Sequence, residues 1–284
     1  MFSLKFIKPI VVLALISVCC ACSKDDDPKS SGGSSNGGSN LSIKVNADGS
    51  TKGDAVFSMI DGTTFFLDYV KYKIVDSHLE IIGYDDVELP PAPRLYASVT
   101  IDNAEYKTRI IDEEAFRNSK ITSIVLPSTV TEIGWAAFAD CSSLASVILP
   151  ESVTSIESSA FEDCISITSI IIPESMTEIN GYSFEGCKSL ESIVIPESVN
   201  RMYGSFYGCN IKEVTLKHIT PPDFFDFNSF SDEEISDFID RIDEFGYIYR
   251  DESEKLILYV PRRSVDKYKD TFPYDFLCQI KPIK

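Results

Sequence analysis

A 23-residue period runs through the middle of the chain. Pro127, Pro150, Pro173 and Pro196 recur at that step, and so do Ile133, Ile156, Ile179 and Met202. Phe116, Phe138, Phe161, Phe184 and Phe206 follow at 22 or 23, as do Ser119, Cys141, Cys164, Cys187 and Cys209. Four spacings held together in one stretch are the signature of a repeat array. In such an array each unit packs on its neighbours and the core is one-dimensional.

A step of roughly 20 to 29 residues with the apolar spacing L-x-x-L-x-L belongs to leucine-rich repeats. The triples Ile121/Ile124/Leu126, Leu144/Val147/Leu149, Ile167/Ile170/Ile172, Leu190/Ile193/Ile195 and Ile211/Val214/Leu216 keep it. Each predicts a short strand with the named side chains inward. A proline ends most of them, because it cannot donate to a strand ladder. The next apolar pair, such as Val130 with Ile133 or Val153 with Ile156, predicts a second short strand. The Ala-Phe pairs at 115–116, 137–138 and 160–161 fill the turn between. One coil alone buries too little apolar surface to offset the entropy of ordering its backbone, so stability must be collective. The expected fold is a mostly β solenoid of about five coils.

In each first strand the residue between the last two inward positions faces outward. Those residues are Val125, Ile148, Ile171, Val194 and Thr215. Four aliphatics in register would make an exposed stripe, beside Ala145, Ser146, Thr168, Ser169, Glu191 and Ser192. An exposed apolar patch of this kind marks a contact surface. Two plainer explanations stand beside that one: the flanking regions cover the stripe, or β-propensity alone selected these residues.

The unit Ala-Phe-x-x-Cys-x-x-Leu-x-Ser-Ile-x-Ile-Pro-x-Ser-Val-Thr-x-Ile resembles the BspA-like leucine-rich repeat family of bacterial surface proteins, over roughly residues 107 to 222. The tail from Leu256 through Pro261 and Tyr268 to Ile283 is similar to that family's C-terminal closing segment. The resemblance implies adhesion to host matrix proteins or to other bacteria. It assigns no residue. Ser119 in place of the first cysteine, a residue lost between Met202 and Phe206, and an insertion at 223–254 depart from the pattern.

The start of the chain is a different kind of sequence. Lys5 and Lys8 precede the apolar run Ile10–Val18, and Ala21-Cys22 follows; this is the layout of a secretory leader. The cysteine makes it resemble a bacterial lipoprotein signal, in which Cys22 carries the lipid. Cys19 and Cys20 are poorer candidates. The run Ser-Lys-Asp-Asp-Asp after Cys22 resembles the surface-export signal of outer-membrane lipoproteins in anaerobic Gram-negative gut bacteria. Several acyl chains on one cysteine hold a protein at a membrane where a single chain would not. Residues 28–40 are Gly-, Ser- and Asn-rich and read as a flexible tether.

The division expected is therefore leader 1–21, lipidated tether 22–40, N-terminal β cap 41–106, solenoid 107–222 and C-terminal cap 223–284. Strands are expected at 55–60, 63–67, 69–74 and 79–82, with Asp61-Gly62 as a hairpin turn. In the acidic insertion, Ser231 with Glu234 forms a capping box ahead of Ile235, Phe238, Ile239 and Ile242 on one face. That predicts an amphipathic helix near 232 to 244, a lid on the last coil or a partner-binding element.

The net charge of −18 disfavours nucleic acid, where Lys and Arg must neutralise phosphates. Cys141, Cys164, Cys187 and Cys209 fall on one corner of successive coils and read as small buried hydrophobes. Cys278 has no expected partner. Outside the leader no Cys-x-x-Cys pair occurs, and the chain has no P-loop, dinucleotide fingerprint, His-Glu-x-x-His or nucleophile motif. No catalytic residue, metal or cofactor is nominated; neither His78 nor His218 lies near a nucleophile signature, and His218 reads as structural. The reading is a surface lipoprotein that binds host or bacterial proteins and is not an enzyme. A glycan-capture accessory lipoprotein is the alternative, and a hydrolase with a carboxylate pair ranks below it.

Overall fold

The computed structural model describes residues 42–45, 51, 55–202, 204–220, 256–271 and 278–283. The leader, Cys22 and the tether lie outside the described residues, as do the acidic insertion with its expected helix and the side chain of Cys278.

The N-terminal region is a twisted mixed sheet. Its strands are β1 (Ser42–Val45), β2 (Phe57–Met59), β3 (Thr64–Leu67), β4 (Val70–Val75), β5 (His78–Tyr84), β6 (Ser98–Ile101) and β7 (Ala104–Ile111). They lie side by side in the order β1-β6-β7-β5-β4-β3-β2. β2 to β5 form the antiparallel meander that the alternating sequence predicts, with Phe65, Leu67, Val70, Tyr72, Leu79 and Ile81 buried. The turn at Asp61 is tied by its carboxylate, which accepts the amides of Thr63 at 2.7 Å and Thr64 at 2.8 Å. Those hydrogen bonds hold the Asp61 carboxyl below its ordinary range. Three strands carry no alternation strong enough to be foreseen. β1 pairs parallel with β6, β6 pairs antiparallel with β7, and β7 pairs parallel with β5.

β7 joins this sheet to the repeats. Its last residues, Ile110 and Ile111, pair parallel with Glu132 and Ile133 of β9 (Glu132–Ile133), which pairs in turn with β11 (Ser155–Ile156). The strand therefore runs across position 106, and the β sheet passes without a break into the second row of coil strands. Farther along that row β12 (Glu178–Ile179) pairs with β14 (Arg201–Met202). The first row holds β8 (Ser123–Val125) on β10 (Ser146–Ile148), and β13 (Ser192–Ile195) on β15 (Glu213–Leu216). It continues through β16 (Leu256–Val260) to β17 (Cys278–Pro282), all parallel. Between the last two, a tight turn at Arg262–Ser264 leads into the short helix α1 (Val265–Thr271). Tyr268 of α1 is buried, and its hydroxyl donates to the carbonyls of His218 at 3.0 Å and Thr220 at 3.3 Å.

The strand expected at Ile167–Ile172 is not regular: residues 167–173 have no strand conformation, although Ile167, Ile170 and Ile172 point inward and are buried. Side-chain packing, and not a backbone ladder, holds that segment in line.

The core of the array is a column of rings. Tyr84, Phe116, Phe138, Phe161, Phe184 and Phe206 stack with centroids 5.1 to 5.9 Å apart and planes within 6° of parallel. The backbone beside them forms its own ladder: the amides of Phe116, Phe138, Phe161 and Phe184 donate to the carbonyls of Ala137, Ala160, Ser183 and Ser205 in the next coil. This turn needs left-handed backbone at two positions per coil. Asn118, Asp140, Asp163 and Gly186 fill one of them, with φ between 53° and 69°. At Gly186 a Cβ would lie 2.2 Å from Oδ1 of Asp163, so any other residue there requires the Asp163 side chain to move.

Candidate functional site

The first row of strands presents a regular outer face. Along each strand burial alternates, because successive side chains point to opposite sides. Ile124, Leu126, Val147, Leu149, Ile193 and Ile195 are buried. The residues between them are not: Val125, Ile148 and Thr215 are half-buried, and Ile171 and Val194 are 60% and 44% exposed. Val125 stands opposite Ile148, and Val194 opposite Thr215. The outward placement of all five residues is thus the one expected from spacing.

A second column runs two residues upstream. Ser123 pairs with Ser146, and Ser192 with Glu213. Ser169 keeps the same position in the irregular coil and is exposed. Ala145, Thr168 and Glu191 flank this column and are exposed as well. Hydroxyls therefore sit beside aliphatics, coil after coil, at the spacing of neighbouring strands, ~4.8 Å. No charged residue occurs in 121–126, 144–149 or 167–172, in a chain of net charge −18.

Both ends of this face are built by residues that repeat spacing does not find. On the C-terminal side Thr215 pairs with Tyr259, and Tyr259 with Lys281. The Tyr259 hydroxyl lies 3.5 Å from the carboxylate of Glu213, and burial, followed by that negative neighbour, raises its pKa. Lys212 and Glu191 form an exposed ion pair at 2.7 Å at this end. On the N-terminal side the carbonyl of Pro91 accepts the amides of Thr122 at 2.6 Å and Ser123 at 3.3 Å. The segment before Leu95 thus borders the first coil.

The cysteine corner has a defined structural part. Cys141, Cys164, Cys187 and Cys209 are buried free thiols. Each S–H donates to a phenylalanine carbonyl one coil back: Phe116 at 3.0 Å, Phe138 at 3.1 Å, Phe161 at 3.3 Å and Phe184 at 3.0 Å. Ser119 takes the first place in the column, its hydroxyl 3.2 Å from the sulfur of Cys141. Contact with Cys141 and then burial push the Cys164 thiol up, and contact with Cys209 and then burial do the same for Cys187. Neutral thiols of this kind are poor nucleophiles and poor metal ligands. Among the described residues no group of three His, Cys, Asp or Glu side chains is placed to hold a metal. His218 is buried, with Nε2 2.7 Å from the carbonyl of Val199.

The coil geometry agrees with the family comparison. Residues 109–236 match the model of the BspA type leucine rich repeat region, in six copies. The repeat array is of the BspA type. Solved structures of bacterial leucine-rich repeat proteins resemble the chain. The pneumococcal vaccine antigen PcpA is 18% identical, with a TM-score of 0.57 over 78% of this chain and 48% of that one, a likeness of fold. The leucine-rich repeat protein of T. pallidum is 25% identical, with a TM-score of 0.48 over 57% of this chain and 78% of that one. A leucine-rich cell surface protein of Faecalibacterium prausnitzii is 28% identical, with a TM-score of 0.49 over 61% and 44% respectively. No curated protein matches the sequence.

Proposed function

We propose that this protein, whose repeats match the BspA type, is a surface-anchored binding module that presents the outer face of its first strand row to a protein partner, and that it is not an enzyme. The observation that carries the reading is the uncharged column Val125, Ile148, Ile171, Val194 and Thr215, with its serine column alongside. Ile171 and Val194 remain 60% and 44% exposed. Scattered exposed aliphatics need no explanation, but a contiguous column in register does. Its flatness and its repeat suit an extended protein surface better than a small molecule, which asks for a concave site. Host matrix proteins and the surface proteins of other bacteria are the partner classes.

The anchor in this reading is lipid on Cys22, at the outer membrane, with 22–40 as tether. What supports it is the leader pattern and the acidic run after Cys22. The N-terminal sheet and the segment around β16, α1 and β17 serve as covers for the two ends of the array. An uncovered end would expose its coil's apolar interior and unpaired backbone.

The test uses the soluble chain from residue 41 in a capture assay against immobilised matrix proteins and whole bacteria. Ile148→Asp and Ile171→Asp should each weaken capture by roughly tenfold or more and leave the melting temperature in place. Capture unchanged in both variants contradicts the assignment of this face. Loss of labelled palmitate incorporation in Cys22→Ala, with retention in Cys20→Ala, tests the anchor.

A further inference from the structure

A second surface, in the N-terminal sheet, has the features of a binding subsite. The hairpin between β3 and β4 turns on two residues, Asp68 and Tyr69, because Leu67 pairs directly with Val70. Both have positive φ, 48° and 69°. A two-residue turn of this type is ordinarily Asn-Gly or Asp-Gly. Aspartate fits the first place: its Oδ1 accepts the amide of Val56 at 2.8 Å, and its own amide donates back to the carbonyl of Val56 at 2.9 Å. Tyrosine in the second place is the anomaly. A bulky residue held left-handed, as Tyr182 also is, is strained by about 1 to 3 kcal/mol relative to glycine.

The ring has another use. A depression of about 260 Å³ is lined by Val56, Asp68, Tyr69, Pro90, Ala92 and Arg94. Arg94 lies 3.5 Å from Oδ2 of Asp68, and the Tyr96 hydroxyl donates to the same oxygen at 2.6 Å. The Arg94 side chain keeps 36% of its surface and Asp68 15%, and Tyr96 contacts both, so the pair is held in place and still reaches solvent. Carboxylate and guanidinium side by side present an acceptor next to a donor with no net charge. Such a pair matches a ligand that carries a donor and an acceptor on adjacent atoms, as vicinal hydroxyls do. Tyr69 and Pro90 line the same depression and supply apolar surface of the kind that packs on the C–H face of a pyranose ring. A free anion would meet Asp68, and a free cation would meet Arg94.

We propose that this depression is a subsite for an uncharged pyranose sugar, stacked on Tyr69 and hydrogen-bonded through neighbouring hydroxyls to Asp68 and Arg94. Its lining shares the segment 90–94 with the N-terminal border of the sheet face but includes none of the residues of that face's two columns. The site is small, so one sugar unit of a longer glycan is the ligand it takes.

The strain at Tyr69 makes the proposal testable without risk to folding. The full chain in detergent is titrated with cellotriose, maltotriose, mannotriose, galactose and glucuronate, and binding is followed by saturation-transfer NMR. At least one neutral sugar should bind, with a dissociation constant below about 10 mM. Tyr69→Gly should weaken it by roughly tenfold or more while leaving the melting temperature equal or higher, because glycine relieves the turn. Arg94→Met should weaken it as well, and Ile171→Asp should leave it unchanged. Absence of any neutral-sugar binding, binding of glucuronate alone, or full binding by Tyr69→Gly overturns the proposal.

Discussion

The rings of Phe138 and Phe161 lie 5.1 Å apart with planes 4° from parallel. That one contact contains the logic of the array. The two residues are one period apart in sequence, occupy the same place in successive coils, and each completes the environment of the other. Deleting a ring from the middle of the column therefore removes two stacking partners at once. Phe161→Ala should destabilise the protein by ~3 to 5 kcal/mol, read as a lower urea midpoint. Tyr84→Ala, at the end of the column with Phe116 as its stacking partner among the described residues, should cost less. Equal costs would mean that the rings act singly.

Gly186 gives a sharper backbone test. Its φ of +69° and the 2.2 Å approach of a Cβ to Asp163 both oppose any side chain. Gly186→Ala should destabilise by more than ~1 kcal/mol, measured by chemical denaturation. Asp163→Gly in the same chain should restore part of the loss. A neutral Gly186→Ala would mean that the turn has another accessible geometry.

The thiols predict a pH effect. Cys164 and Cys187 have pKa values raised in the folded state, and Cys141, lowered by its contact with Cys164, offsets part of that. The folded protein then keeps protons that the unfolded chain has already released. Stability is full below the unfolded thiol pKa of about 8.5 and falls as pH rises through it, by up to ~1.4 kcal/mol per pH unit for each such thiol. Denaturation between pH 7 and 10 measures it, and Cys164→Ser with Cys187→Ser should flatten the curve. Native protein should also react with a thiol reagent only as fast as it unfolds.

How much of this was legible in the sequence depends on whether a residue belongs to the period. Phe138, Cys164 and Ile171 could be placed because each has copies one step away, and copies must share an environment. Tyr259 and Lys281 extend the same outer column, yet no count from Thr215 reaches them: an insertion of unrelated composition intervenes. β1 and β6 were not foreseen because their pairing, Ser42 with Ser98, joins distant segments with no shared spacing. The pair Asp68 and Arg94 is hidden for the same reason, since contacts between β3–β4 and the loop before Tyr96 leave no local pattern. The irregular strand at 167–172 marks the opposite limit. Its apolar spacing is as good as its neighbours', and spacing reports which side chains are inward, not whether the backbone ladder closes.

The most direct test of the stacked-coil account compares two adjacent residues of β13. Ile193 is 2% exposed and Val194 is 44% exposed. Thermal and urea unfolding of Ile193→Asp and Val194→Asp should part widely. A carboxylate at 193 enters the core without a partner and should cost ~4 kcal/mol or more or prevent folding, whereas one at 194 should stay within ~0.5 kcal/mol of the parent. Similar losses at both positions, or a larger one at 194, would contradict the placement of inward and outward faces on which the account stands.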